Sequence, residues 1–376
     1  MTMKARFIQE KRDRAQTVFL LCICAALSLF LQAVKFTILP DKYFYDATTV
    51  QGMMQGTVQF GFSDSYANTA LLFQAMGRFL PMDSQLWGGI VVWALALPFF
   101  IWLGLKYLQP TWMHYMLFGV YSVLLPVFVW NVHKEAVQFF FFLLVFMAAM
   151  CRKERSAAAD ALVTVLLILW SFLFRSYYIV IAAGTAFFLI LSWLPWKQWN
   201  PAYRKKLLIS IICVILFLVF LVALIKPTLL ITLFDARMGV NRTRGNDPDA
   251  NTIILDVIQN PDRTIPLYIV NYVLAAFRMM FPIELILKGM QYVPFVVLQL
   301  CWTGLLCRAV WAAVRGKWKE SWPEKRLLAI TAAWYLVAFL FEPDFGSFIR
   351  HQASAFPLVF PVMVVINWNL KRTEQR

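Results

Sequence analysis

The chain has 376 residues, of which 61% are apolar and only 15% are charged, and this composition excludes an ordinary soluble globular protein. Several apolar runs reach about 20 residues, the length a helix needs to cross roughly 30 Å of hydrocarbon. The formal net charge is +15. A charge of this size occurs in proteins that bind nucleic acid, but it also occurs in membrane proteins with basic cytoplasmic loops.

Ten apolar stretches predict an all-α fold, a polytopic membrane helical bundle that forms one domain over residues 1–376. The expected spans are 17–39, 86–105, 111–131, 134–151, 158–174, 177–195, 207–233, 290–308, 327–341 and 353–368. Segment 264–282 is nearly apolar enough to cross as well, but a crossing there would place six Lys and Arg of 308–326 outside. We therefore expect this segment to be an interfacial or re-entrant helix.

The connections between the expected spans differ in charge. One alternating set, together with both termini, holds 22 Lys and Arg against 7 Asp and Glu, whereas the opposite set holds 13 basic and 13 acidic residues. The positive-inside rule assigns the basic set to the cytoplasm. Both termini are thus predicted to be cytoplasmic, with outer-face loops or interfacial helices at 40–85 and 234–289. The basic charge then needs no nucleic acid as a partner.

Ionisable residues recur on the predicted outer side. Such groups near a bilayer interior cost about 2.5–3.5 kcal/mol each on insertion scales, and they are usually functional or paired. The connections "NVHKEA" and "FRSYY" are so short that their charged residues must lie close to helix ends. The side chains therefore either snorkel and form static pairs, or point into a cavity between helices. We expect one outward-opening cavity lined by Asp46, Glu135, Arg175, Glu342 and Arg350.

The segment "FEPDFGSFIRHQASAFP" (341–357) carries a titratable cluster between two apolar runs. Its first proline and its glycine predict irregular backbone over 342–347, followed by a helix that begins near residue 347. Arg350 and His351 would then lie about 100° apart on that helix and could not face one partner. Arg350 is the candidate for binding phosphate, because its planar fork binds phosphate oxygens bidentately. The alternative is a structural pair with Glu342 or Asp344.

Carboxylates, arginines and aromatic rings on one outer face match the needs of glycosyl transfer from a polyprenyl-linked donor. The departing phosphate or pyrophosphate needs cations. The acceptor hydroxyl needs a carboxylate or histidine base. The sugar rings need aromatic and hydrogen-bonding surfaces, and the lipid tail needs an apolar groove.

The acidic first outer loop "YFYDATT", the "KE" at the start of the fourth span, the hairpin "FRSYY" and "FIRH" before the last span resemble those of bacterial surface-polysaccharide membrane proteins. These are the O-antigen or capsule repeat-unit polymerases of the Wzy type, the related EpsG-like group and the GT-C glycosyltransferases. The resemblance implies a lipid-linked glycan donor and acceptor, other assembly proteins as partners, and the bacterial inner membrane as location. It makes Asp46 the candidate base, with Asp41 or Asp64 as alternatives.

The predicted site follows from the residues and this resemblance together. The catalytic candidates are Asp46, Glu135 and Glu342. The candidates for binding substrate or (pyro)phosphate are Lys134, Arg175, Tyr177, Arg237, Arg242, Arg278, Arg350 and His351. No cofactor is predicted, and participation of a divalent metal is left open.

Three functions remain open at this point. The first is a glycosyltransferase, either a repeat-unit polymerase or an enzyme that adds a single sugar. The second is a flippase or transporter, which would usually show repeats and broken helices in both halves. The third is a non-catalytic assembly subunit. Chemistry on one face and only basic flanks on the other favour the enzyme.

Overall fold

The structure, a computed structural model, describes residues 3–108, 111–194, 239, 252–254, 265–314 and 321–374. These residues are helical with no strand, which confirms the predicted all-α class. The predicted span 207–233 lies outside the described residues, as do most of residues 234–264 in the predicted outer segment 234–289, including Arg237 and Arg242.

Thirteen α-helices are numbered here in chain order over the described part of the chain. They are α1 (Met3–Ile38), α2 (Tyr45–Met54), α3 (Ser65–Met76), α4 (Gln85–Tyr107), α5 (Trp112–Phe128), α6 (Lys134–Met150), α7 (Ala157–Leu173), α8 (Tyr178–Trp193), α9 (Ile265–Met280), α10 (Val293–Val314), α11 (Trp322–Phe341), α12 (Phe345–Ser354) and α13 (Phe356–Glu374). Short 3₁₀ helices occur at Asp41–Phe44, Ile283–Lys288 and Met290–Tyr292.

Several helices are suited to a membrane, as expected of a helical membrane protein. Within the described ranges, Asp13–Ile38, Gln85–Tyr107 and Met290–Ala309 are long and apolar enough to cross, and the bent pair α12–α13 can supply a fourth span. Helices α5, α7 and α8 are apolar but shorter. A helix of 17 residues is about 25 Å long, somewhat less than the roughly 30 Å of hydrocarbon. The count of ten spans and the orientation of the termini stay predictions.

The last predicted span differs from the expectation. It is divided into α12 and α13, whose axes differ by 80° across a break at Ala355. Pro357 explains the break, because it has no backbone N–H to continue the hydrogen bonds of α12. The start of α12 also differs from the expected position near residue 347. Asp344 caps the helix by accepting the N–H of Ser347 at 2.7 Å, so helix begins at Phe345 and includes Gly346.

Aromatic rings hold the start of α13 in the centre of the bundle. Phe356 is fully buried and lies 4.6 Å from Tyr121, 5.3 Å from Phe100 and 6.4 Å from Phe139, measured between ring centroids. These three partners come from α5, α4 and α6. Buried aromatic pairs add roughly 0.5–1.5 kcal/mol each beyond the burial of their area. The α13 side of the break is therefore fixed by packing.

An arginine clamp closes one end of the bundle, called the clamp end below. Arg326, near the start of α11, is fully buried and donates from Nε to Asp160 of α7 at 2.6 Å. Its other nitrogens donate to the backbone carbonyls of Ala149, Arg152 and Glu154, at 3.3, 2.6 and 2.9 Å. The clamp thus joins α6, α7 and α11 at one end. Consequently the other ends of the same helices meet at the opposite side of the bundle.

Replacing the clamp arginine tests its role in stability. We expect Arg326→Met to lower the free energy of unfolding by roughly 3–5 kcal/mol, because it leaves Asp160 as a buried charge without its guanidinium partner. Arg326→Met combined with Asp160→Leu removes both charges and is expected to recover most of that loss. The measurement is reversible denaturation in mixed detergent micelles. A double variant as unstable as the single one would contradict this account.

Topology can be tested with two exposed positions in a background free of native cysteines. Ser321→Cys lies at the clamp end and Thr57→Cys lies in the first predicted outer loop, and both positions are exposed. A membrane-impermeant maleimide added to intact spheroplasts should label Thr57→Cys and not Ser321→Cys, because the basic loops are predicted to be cytoplasmic. Efficient labelling at position 321 would overturn the predicted orientation.

Candidate functional site

The polar residues opposite the clamp end form two adjoining clusters. The outer cluster is defined as Asp46, Tyr66, Lys134 and Arg350. The inner cluster is defined as His133, Glu135, Arg175, Glu342 and His351. They are supplied by the starts of α2, α3 and α6, by the α7–α8 turn, by the residue after α11, and by α12.

Lys35 fixes the turn that brings α6 to this site. Its ammonium group is buried and donates to the backbone carbonyls of Pro126 at 2.7 Å and Trp130 at 3.2 Å, at the end of α5. Gln32 also donates to the Trp130 carbonyl, at 2.9 Å. A side chain at Gly89 would clash with Gln32, since an added Cβ would lie 2.1 Å from its Nε2 atom. This packing positions residues 133–135, at the start of α6.

The outer cluster centres on the carboxylate of Asp46. Its Oδ2 atom lies 2.6 Å from Nη1 of Arg350 and 3.4 Å from Nζ of Lys134. Its Oδ1 atom accepts the hydroxyl of Tyr66 at 2.5 Å, and that hydroxyl lies 2.7 Å from Nζ of Lys134. Ser347 accepts a further bond from Arg350, at 3.3 Å. Two cations therefore share one carboxylate oxygen.

The inner cluster centres on the carboxylate of Glu135, which is completely buried. Its Oε1 atom lies 3.0 Å from Nη2 of Arg175 and 3.4 Å from Nε2 of His351. The Nδ1 atom of the same His351 ring contacts Oε1 of Glu342. One imidazole therefore bridges two carboxylates.

One oxygen of Glu135 accepts no hydrogen bond. Within the described part of the chain, no donor is bonded to its Oε2 atom. The Nδ1 atom of His133 lies 3.1 Å away, but it accepts the backbone N–H of Glu135 itself at 3.2 Å. A nitrogen that accepts this amide is the unprotonated one, so it offers Oε2 no hydrogen. The His133 contact is therefore part of the helix cap and not an ion pair.

Arg175 ties the inner cluster to neighbouring helices. Besides Glu135, it donates from Nη1 to Gln138 at 2.8 Å and to the hydroxyl of Tyr177 at 3.1 Å. Gln138 in turn donates to Ser354, at the end of α12, at 2.7 Å. These bonds connect α6, the α7–α8 turn and the broken helix, and they use the forked shape that distinguishes arginine from lysine.

Consecutive residues divide between the two clusters. On α6, Lys134 faces the outer cluster and Glu135 the inner one, and on α12 Arg350 and His351 divide in the same way. Neighbouring residues on a helix are about 100° apart, so this division is what helix geometry requires. The expectation that Arg350 and His351 face different partners is confirmed. The alternative pair between Arg350 and the nearby Glu342 is not the contact observed, because Arg350 binds Asp46.

The electrostatic environment keeps Asp46 ionised. Burial alone would raise the pKa of Asp46, but the charges of Arg350 and Lys134 outweigh burial, so this pKa lies below its ordinary value. Burial raises the pKa of Tyr66 well above its ordinary value, and the adjacent Asp46 carboxylate raises it further. At physiological pH Tyr66 is therefore neutral, and its hydroxyl donates a hydrogen bond to the carboxylate.

The structure brings together Asp46, Lys134, Glu135, Arg175, Tyr177, Glu342, Arg350 and His351 from the predicted site. Arg278 belongs to a different ion pair, because it binds Glu284 at 2.6 Å on a partly exposed surface. Asp64 caps α3 by accepting the N–H groups of Tyr66 and Ala67, each at 3.0 Å. Asp64 thereby positions Tyr66, and it does not bind Lys134 or Arg350, the partners of Asp46.

Part of the predicted outer segment 234–289 contacts the turn before α12. The N–H of Ile254 donates to the carbonyl of Pro343 at 3.1 Å, and the N–H of Phe345 donates to the carbonyl of Thr252 at 2.9 Å. This isolated bridge pairs Ile253 with Asp344 in antiparallel fashion. Residues 252–254 therefore stabilise the turn whose aspartate caps α12.

Sequence reasoning missed several site residues. Tyr66, Gln138 and Lys35 were not among the candidates, although all three bond directly to charged or backbone groups that shape the site. For Tyr66 a signal existed, since "DSY" in the first outer loop is an N-cap sequence that precedes a helix. Gln138 lies one turn after Lys134 on α6, and only the folded structure shows what it faces.

Comparison of the chain with protein-family models, with curated protein sequences and with solved structures gives no match. In the described ranges, no group of three or more His, Cys, Asp or Glu side chains has an arrangement that could hold a metal ion.

The coupling between Glu135 and Arg175 can be measured with a double-mutant cycle. We expect Glu135→Gln and Arg175→Met each to cost roughly 3–5 kcal/mol of unfolding free energy, because each leaves a buried partner unpaired. The double variant should cost clearly less than the sum of the two. The same cycle on the partly exposed pair Arg278 and Glu284 serves as control, with an expected coupling below about 1 kcal/mol. Additive costs at Glu135 and Arg175 would contradict the assigned pair.

Proposed function

We propose that this protein is an integral-membrane glycosyltransferase of the outer face that acts on polyprenyl-(pyro)phosphate-linked glycans. Within that class we propose a surface-polysaccharide repeat-unit polymerase of the bacterial inner membrane. The observation that carries the proposal is the adjacency of two clusters. A pair of cations, Lys134 and Arg350, lies beside an imidazole held between two carboxylates, Glu135 and Glu342.

The outer cluster suits the phosphate part of a lipid-linked donor. Lys134 and Arg350 both lie against one oxygen of Asp46, so two cations would meet an anion that took the place of that carboxylate. Their side chains are 14% and 22% exposed, so both cations keep some access to a ligand. A guanidinium binds phosphate oxygens bidentately, and a developing negative charge on a leaving pyrophosphate is stabilised by such fixed cations.

The inner cluster suits general base catalysis. His351 contacts Glu342 through Nδ1 and faces Glu135 through Nε2, so a proton that reaches the ring is stabilised by a carboxylate on either side. In the proposed reaction, the acceptor hydroxyl loses its proton to Asp46 or to the carboxylate–imidazole group. The hydroxyl oxygen then bonds to the anomeric carbon. The bond from that carbon to phosphate oxygen breaks, and the electron pair leaves with the pyrophosphate.

Arg175 and Tyr177 are proposed to support the inner cluster and not to bind phosphate. Arg175 is only 8% exposed, and Glu135, Gln138 and Tyr177 surround its guanidinium. Its proposed role is to hold the Glu135 carboxylate in place. Arg278 is not included in the proposed site, because its partner is Glu284.

A proton-coupled transporter is the second candidate, and one observation favours it. Arg350 and His351 lie on α12, which is set at 80° to α13, and broken helices of this kind line the binding sites of many transporters. Reconstitution separates the two functions. A polymerase in liposomes lengthens lipid-linked repeat units without an ion gradient, whereas a transporter moves them across the bilayer and leaves their length unchanged.

Arg350→Lys tests the proposed function, because it keeps the charge and removes the fork. In a deletion strain complemented with this variant, we expect long-chain glycan to fall about tenfold or more, since bidentate binding is lost. Polysaccharide gels with an immunoblot of membrane protein provide the measurement. Arg155→Lys is the matched control, because Arg155 lies over the ring of Trp193 near the clamp end, 3.8 Å from its centroid. Unchanged glycan with Arg350→Ala would refute the assignment.

A further inference from the structure

Asp46 occupies a place that suits a phosphate oxygen. A single carboxylate oxygen, Oδ2, is shared by Arg350 at 2.6 Å and Lys134 at 3.4 Å. The other oxygen accepts the Tyr66 hydroxyl at 2.5 Å. The same three donors could serve an anionic ligand with oxygens in equivalent positions. Asp46 thus resembles an internal ligand more than a free base.

We propose that Asp46 is an internal substitute for the substrate's phosphate, and that the phosphate of a lipid-linked donor displaces it from Arg350 and Lys134. This inference rests on the proposed function, since it identifies the anion as the donor's phosphate or pyrophosphate. It assigns Asp46 two states, a counter-ion before the donor binds and a released carboxylate afterwards.

The anchoring of the partners favours movement of the carboxylate over movement of the cations. Lys134 is the first residue of α6, whose start is fixed by Lys35, and Arg350 lies on α12 with a second bond to Ser347. Asp46 lies in the first turn of α2, a helix of only ten residues in the first outer segment. The pyrophosphate of a lipid-linked donor carries two negative charges and more acceptor oxygens than a carboxylate, so it can satisfy the same donors at least as well.

Exchange would couple donor binding to the preparation of a base. Once phosphate neutralises Arg350 and Lys134, Asp46 loses the interactions that hold its pKa below the ordinary value. The released carboxylate can then take the proton of the acceptor hydroxyl while that oxygen bonds to the anomeric carbon. The bond from carbon to phosphate oxygen breaks, and the pyrophosphate leaves with the electron pair while still held by the two cations. The base is thus free only when the donor is in place.

Asp46→Asn tests this exchange without any assay of polysaccharide. The substitution keeps the shape and removes the competing charge. Full-length protein in nanodiscs of phosphatidylcholine is titrated with inorganic pyrophosphate, and the dissociation constant and the rise in melting temperature are measured. Because charged hydrogen bonds no longer have to be broken, we expect pyrophosphate to bind Asp46→Asn about tenfold tighter than the wild type. Adding Arg350→Ala should abolish that gain.

Asp160→Asn is the matched control, because Asp160 binds Arg326 at the same distance of 2.6 Å but at the clamp end. It should lower stability without tightening the binding of pyrophosphate. Equal affinity in wild type and Asp46→Asn, or an equal gain in Asp160→Asn, would overturn the exchange. So would the absence of binding in every variant.

Two further titrations distinguish the sources of the phosphate. Undecaprenyl diphosphate should show the same gain in Asp46→Asn, whereas replacing phosphatidylcholine by phosphatidylglycerol should not reproduce it. A gain confined to phosphatidylglycerol would identify an ordinary headgroup and overturn the proposal. Because these are binding measurements, protein that shows the exchange but makes no polymer would refute only the proposed function. Polymer synthesis without the exchange would refute only this inference.

Discussion

The buried carboxylate of Glu135 is the constraint on which the site depends. A carboxylate with no exposure to water is costly unless it is paired and hydrogen-bonded. Glu135 meets this demand with Arg175 from the α7–α8 turn and His351 from α12, and Glu342 after α11 completes the contact to that imidazole. Four separate parts of the chain must therefore meet at the start of α6. The position of the outer cluster follows, because Lys134 and Arg350 are the sequence neighbours of Glu135 and His351.

The broken helix makes this convergence possible. A continuous final span would carry Arg350 and His351 along the axis of α13, whereas the 80° bend lets α12 cross the ends of α5 and α6. The capping bond from Asp344 and the packing of Phe356 fix the two halves of the bend. Backbone that departs from a straight span is tolerated at membrane depth where it lines a polar site or is buried in protein. The site thus sits at an irregularity that the fold stabilises from both sides.

Much of this arrangement could be predicted from the sequence, and the features that could not be predicted were missed for physical reasons. Hydropathy predicted a helical membrane fold, and charge counts placed the polar connections on one side, so the convergence of Asp46, Glu135 and Arg350 could be expected. The pairing of Asp46 with Arg350 could not be predicted, because the two residues are 304 positions apart and other carboxylates lie nearer to Arg350 in the sequence. Uncharged partners such as Gln138 carry no signal in hydropathy or charge. Pro357 is a sequence signal for the break at Ala355, but the apolar run around it favoured a continuous span.

The two arginine–aspartate pairs show how a structural ion pair differs from a candidate binding site. Arg326 and Arg350 each lie 2.6 Å from an aspartate oxygen. Arg326 has no exposed side-chain surface and uses four of its five N–H donors on Asp160 and three backbone carbonyls, so a ligand cannot reach it. Arg350 is 22% exposed and shares its aspartate oxygen with a second cation. The two pairs therefore have equal bond lengths but differ in their capacity to bind a ligand. The paired cations and the remaining access of Arg350 mark its end of the bundle as the one suited to an anionic ligand, while the clamp end is suited only to holding the helices together.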